Sequence, residues 1–153
     1  MKQTLKKTLT VNNCFNLLAL IFGLIGGIMF IVTATTGYLA GTSYNVMVFV
    51  YALLGVVAIC GGICLNAYQP KFGTFLYVVA AVLLSVAFME ALRDRIDFIG
   101  DSFIPMERPA EFHSAISATI TSMVFIVVPV LLLAIGCFVP EIKFVKEEQA
   151  EAE

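Results

Sequence analysis

The sequence predicts an all-α integral membrane protein. It is read as a four-transmembrane-helix bundle with both termini in the cytoplasm and a third helix extended outside the membrane as an amphipathic charged segment. Three observations carry that prediction. Hydrophobic residues make up 60% of the chain and charged residues 13%, with a mean hydropathy of +0.97, against an apolar share of roughly 45 to 50% in ordinary soluble domains. No Asp, Glu, Lys or Arg occurs from Thr8 to Pro70, from Phe72 to Met89 or from Ser114 to Pro140, and a span needs about 20 mainly apolar residues to cross a hydrocarbon core about 30 Å thick. The cations also segregate. Lys2, Lys6, Lys7, Lys71, Lys143 and Lys146 fall on one side of a four-span arrangement and Arg93, Arg95 and Arg108 on the other, so the lysine side is assigned to the cytoplasm.

Residues 1–14 form a basic amino-terminal segment. The first span, about 15–36, is longer than the apolar region of a secretory signal, about 7 to 15 residues, and Tyr38-Leu39-Ala40 matches a cleavage site poorly, so an uncleaved helix is expected. The turn-rich stretch GYLAGTSYN at 37–45 divides the longest apolar run and leaves a second span at 46–66. Tyr68-Gln69-Pro70-Lys71 makes a short cytoplasmic turn. From there a third span at about 72–92 carries the chain back. The helix from Phe72 to Glu90 would be about 27 Å long, which sets Glu90 at the outer boundary.

Helical spacing continues past that boundary. Phe88, Leu92, Ile96, Ile99 and Phe103 form one stripe and Glu90, Asp94, Asp97 and Asp101 another. Gly100 and Asp101-Ser102 weaken the helix, and Pro105 and Pro109 hold the following residues extended. This outer charged loop covers about 90–113. The fourth span, about 114–139, is closed by Pro140, and 140–153 is a polar, acidic cytoplasmic tail.

Within the spans, small residues mark candidate helix-packing faces: Ala19, Gly23 and Gly27 in the first, Gly55, Ala58 and Gly62 in the second. Close approach through small residues matters in lipid, where apolar burial no longer drives helices together. Packing of the first hairpin against itself is the expected use, with a face for self-association or a partner helix as the alternative. Pro129 is a candidate kink, since proline leaves the Phe125 carbonyl without its helical donor. Hydroxyls gather toward the outer halves of three spans: Thr33, Thr35, Thr36, Ser85, Ser114, Ser117, Thr119, Thr121 and Ser122. They either bond to their own helix backbones or line a shallow vestibule under the charged loop.

Chemistry concentrates between Glu90 and Glu111. The candidate interaction or ligand surface is Glu90, Arg93, Asp94, Arg95, Asp97, Asp101, Arg108, Glu111 and His113. Three acids on one helix face with His113 and Glu111 nearby resemble a hard-cation site, but the interleaved arginines account for the same residues by salt bridging, so no metal and no cofactor are expected. Cys14, Cys60, Cys64 and Cys137 all fall in the cytoplasmic halves of their spans and are expected as buried apolar residues. The outer-loop cysteines of tetraspanins and claudins and the paired cysteines of quinone-linked thiol oxidases are missing.

A net charge of −2 without a basic stripe excludes a nucleic-acid partner. No H-E-x-x-H, P-loop or G-x-S-x-G occurs, and a single histidine offers little for acid and base chemistry. The partners expected are the lipid bilayer and either a membrane protein or further copies of this chain. The expected role is a small non-catalytic accessory or scaffold subunit of the cell membrane, contacting its partner through the outer charged loop, with Arg93, Asp94, Arg95 and Asp97 in the contact. The alternative is a protomer of an oligomeric channel or small-solute transporter, with the vestibule and Glu90 at its entrance. A membrane enzyme acting at the outer interface is the third reading.

Overall fold

A computed structural model of the protein describes residues 11–40, 44–66 and 68–138. Four helices follow one another: α1 (Val11–Thr35), α2 (Val46–Asn66), α3 (Pro70–Asp101) and α4 (Ala110–Phe138), with a single 3-10 turn at Gly37–Leu39 after α1. All four are long and apolar enough to cross a membrane, and no strand occurs among the described residues. The amino-terminal lysines, residues 41–43 of the first loop, Pro140 and the acidic tail lie outside the described residues.

Element boundaries follow local chemistry. Gly37 takes φ +67°, a left-handed conformation that glycine adopts without a Cβ penalty, and turns the chain out of α1. Gln69 is extended and Pro70 opens α3, where a missing N–H costs nothing. The helical spacing past Glu90 is continued in the structure: α3 is one helix of 32 residues, about 48 Å long. It stops at Gly100-Asp101, and Ser102 Oγ donates to the Ile99 carbonyl at 2.6 Å. α4 begins at Ala110, a turn before the expected 114, with Glu111 in its first turn where the helix dipole favours an acid.

Packing departs from the expected hairpin pairing. The closest partners are α2 with α3 and α1 with α4, while α1 with α2 and α3 with α4 meet less extensively. Glycine explains the choice. A Cβ at Gly26 would sit 2.8 Å from the Phe125 carbonyl carbon and 2.9 Å from the Ile126 nitrogen, so α1 rests directly on the α4 backbone. A Cβ at Gly55 would reach within 2.8 Å of Leu84, and one at Gly62 would meet the Tyr77 ring, both on α3. Of the candidate packing glycines, Gly23 and Gly27 on α1 meet α2, Gly27 at Ala52 and Gly23 most closely at Val56. Gly23 looks to the bundle centre, toward Val56, Leu84 and Pro129.

Two apolar layers fill the interior. Ala19, Ile59, Tyr77, Ala80, Leu84 and Leu133 form one, with Ala58 packed against it, and Phe30, Val48, Ala52, Ala87, Ala91 and Ile126 form the other. Large apolar side chains such as Ile28, Val57, Phe75, Val82 and Leu131 cover the outside on every helix. A soluble protein rarely exposes so continuous an apolar surface. The four cysteines are free and stand on this outer surface, correcting the expectation of burial: the core line of each helix is occupied by other residues.

Candidate functional site

The site lies at the end of the bundle where α2 and α4 begin and α3 ends, here called the charged end. Asn45, just before α2, organises it. Its Oδ1 accepts from the Met47 N–H at 3.0 Å, capping the helix. Its Nδ2 donates to Glu90 Oε2 at 2.9 Å, and its backbone N–H donates to Asp94 Oδ1 at 3.2 Å. Two carboxylates of α3 are thereby fastened to the amino terminus of α2, where the exposed N–H groups and helix dipole favour negative charge.

Glu90, Asp94, Asp97 and Asp101 share a face of α3 as predicted, but they part in role. The first two meet α2. Asp97 and Asp101 lie beyond its first residue and are exposed.

Arg95 points the other way. It is 3% exposed, on the inward line of α3 that runs through Tyr77, Ala80, Leu84, Ala87 and Ala91. The expected apolar stripe is displaced accordingly, and Ile96 is 57% exposed. Packing along the span sets the rotation of the helix, so the same line continues through residue 95 whatever its chemistry. Arg95 Nε is 3.4 Å from Asp94 Oδ2, and its guanidinium carbon lies 5.4 Å from the centre of the Phe30 ring. An adjacent carboxylate and an aromatic face together offset part of the cost of burying the cation. Nε and Nη2 nevertheless have no hydrogen-bond partner in the structure.

Above Arg95 an aromatic cap joins three elements. Tyr38 from the 3-10 turn, Phe98 from α3 and Phe112 from α4 have ring centres 5.2 to 6.0 Å apart. Arg108 lies over Phe112 at 4.8 Å, and His113 is 5.9 Å from the same ring. Arg93, Glu111 and His113 are exposed. Among the described residues the charged loop forms one ion pair, Arg95 with Asp94, in place of the expected interleaved salt bridges, and no three His, Cys, Asp or Glu side chains converge as a metal site would need.

A pocket of about 270 Å³ beside the cap is lined by Thr33, Thr36, Tyr38, Glu111 and Ser114. It takes in Thr33, Thr36 and Ser114 of the nine hydroxyls expected to line a vestibule, while Ser85 lies elsewhere and Thr119 and Ser122 are buried. Its hydroxyls are nonetheless bonded to their own helices: Thr33 to Phe30 O, Thr36 to Val32 O and Ser114 to Glu111 O. Thr35, Ser85, Thr121 and Ser122 do the same. A larger groove of about 440 Å³ runs along α3 beside α4, from Tyr77 and Cys137 to Glu90, with almost wholly apolar walls.

Two polar features escaped the sequence reading. Asn45 carried the signal of a helix cap, an asparagine directly before an apolar helical run. Asn16 and Tyr77 are buried side by side toward the opposite end, the Asn16 amide nitrogen and Tyr77 hydroxyl facing each other without closing a hydrogen bond of good geometry. Neither type is charged, so both passed as ordinary span residues.

Among the described residues, fold and site define a class: an all-helical protein with four helices long and apolar enough to span a bilayer and a cluster of charged side chains where α3 ends. Comparison with protein-family models, curated proteins and solved structures finds no match to the chain.

Proposed function

We propose that the protein is a small non-catalytic subunit of the cell membrane that binds a membrane-protein partner through the open part of its charged end. The contact is made by Arg93, Asp97 and Asp101 on α3, with Glu111 and His113 across the loop. Both termini are cytoplasmic, following the lysine distribution, so this surface faces outward. The length of α2, 21 residues or about 31 Å, matches the hydrocarbon core. Its tie to Glu90 then sets the core boundary at that residue, and α3 stands beyond it through Asp101.

The observation that carries this reading is the division of the charges. Glu90, Asp94 and Arg95 are used internally, while the side chains of Arg93, Asp97 and Asp101 make no ion pair or hydrogen bond among the described residues despite lying on the same helix. Exposed, unspent charge on a rigid helix suits recognition of a partner. The sequence-based set Arg93, Asp94, Arg95 and Asp97 would mix folding with binding. The test is therefore the triple variant Arg93→Gln, Asp97→Asn, Asp101→Asn, purified in mild detergent after cross-linking. Loss of the co-purifying protein from a variant that still unfolds at the wild-type temperature is expected. An unchanged complex would overturn the assignment.

The vestibule supports a second reading, an oligomeric channel or carrier protomer with Glu111 at its mouth. Solute flux in liposomes that is lost on Glu111→Gln would put that reading first.

A further inference from the structure

We infer that the loop tip, Phe103, Ile104 and Met106, is the anchor of the contact proposed above, and that it fills an apolar pocket with a basic rim on a partner protein of different sequence. This rests on the reading of the charged end as a partner surface.

The three side chains are 82%, 48% and 65% exposed. Exposed apolar residues on the spans are covered by lipid, but these are out of its reach. α3 continues from Glu90 to Asp101, about 16 Å of helix past the hydrocarbon boundary. The headgroup layer on each side is only roughly 5 to 8 Å thick.

Nor do the residues fold back onto the bundle. The aromatic side chains of that end, Tyr38, Phe98 and Phe112, pack on one another. The tip is also held in shape, since the Phe103 N–H donates to the Gly100 carbonyl at 3.1 Å and the Ile104 N–H to the Asp101 carbonyl at 3.3 Å. An apolar group kept in water by a preordered backbone loses little freedom on docking. Phenylalanine and methionine are among the residues enriched at interface cores.

Charge complementarity selects the partner. Around the tip, four acids, Asp97, Asp101, Glu107 and Glu111, are exposed against one exposed arginine, Arg93, further back on α3, while Arg108 is turned onto the Phe112 ring. The rim is acidic, so the matching surface is basic, and a second copy of this chain, presenting the same acids, is repelled.

Two measurements on the full chain in its native membrane test this. A photoreactive phenylalanine analogue at position 103 is cross-linked and the adduct mapped by mass spectrometry. The double variant Phe103→Ser, Met106→Ser is then compared with wild type for partner recovery at about 0.1 M and about 1 M salt, between which the screening length falls from about 10 Å to about 3 Å. Expected are an adduct on a water-exposed segment of another protein with Lys or Arg beside the cross-linked residue, at least about a tenfold loss of that protein from the double variant, and weaker wild-type recovery at high salt. Both substituted side chains are solvent-facing, so the unfolding temperature stays at the wild-type value.

Adducts confined to lipid, adducts to a second copy, or a partner segment without basic residues would each overturn the inference. If the double variant retains the partner while the triple charge variant loses it, the anchor is wrong and the partner surface stands. If both variants retain it, both proposals fall.

Discussion

Asn45 caps α2 with one side-chain atom and holds Glu90 with another, while its backbone N–H reaches Asp94. Removing the side chain should therefore cost toward the upper end of about 0.5 to 2 kcal/mol, the range for a lost cap, because the bond to Glu90 is lost with it. Thermal unfolding of Asn45→Ala in detergent measures it, and Asn45→Asp should be worse because a third carboxylate would then face Glu90 and Asp94. Arg95 poses a different balance. Its charge is buried beside Asp94 and over Phe30, and breaking a buried pair typically costs about 3 to 5 kcal/mol. Asp94 keeps a bond to the Asn45 N–H, so Arg95→Ala should fall at the lower end of that range. Arg95→Met, which refills the space without a cation, should lose clearly less than Arg95→Ala in the same unfolding assay. The cap at Asn45 had a sequence signal, but its hold on Glu90 and Asp94 had none, and for Arg95 residue type showed a charge while only the rotation of α3 decided that it points inward.

At the scale of elements, the bundle is organised by where backbones touch. Gly26 abuts Phe125 and Ile126 on α4, one turn before Pro129. Proline there leaves the Phe125 carbonyl without its helical donor, and α1 makes its closest approach at that stretch. Gly26→Ala should destabilise by about 1 to 3 kcal/mol, the usual cost of overpacking, because the obstructing atoms are backbone and cannot rotate away. Gly27→Ala, whose Cβ would lie 3.5 Å from Ala52, should be close to neutral, and the contrast in unfolding temperature between the two variants is the check. The sequence marked Gly27 and passed over Gly26, since spacing by four identifies a face without saying which neighbour it meets. The hydroxyls give the opposite lesson. Thr36 bonds to its own helix at Val32 O, so Thr36→Val should shift stability by less than about 0.5 kcal/mol, as for other surface changes away from specific contacts.

For the whole molecule, the apolar circumference and the charged end of α3 make orientation the property to measure. Cys14, Cys60, Cys64 and Cys137 lie toward the end opposite the charged loop and stand on the bundle surface. On the proposed topology lipid covers them, so an impermeant maleimide applied to intact cells should leave wild type unlabelled. Ser102→Cys, exposed at the end of α3, should label fully from outside. Labelling of Ser102→Cys only after the membrane is opened would reverse the orientation and place the partner surface in the cytoplasm.

The sequence by itself determined the number of helices, their approximate limits and the position of the charged segment. Each of these follows from runs of residue type measured against a hydrocarbon thickness, and needs no knowledge of neighbours. The continuation of α3 past Glu90 was also readable, in its helical spacing. What only the tertiary structure decided was pairing and direction: α1 against α4 in place of α2, Arg95 inward, Glu90 and Asp94 tied to Asn45, and Phe103 left in the open. Those depend on helix rotation and on backbone approach at particular glycines. In a chain whose spans are apolar on every side, periodicity of hydrophobicity cannot set either one, because lipid and core accept the same side chains.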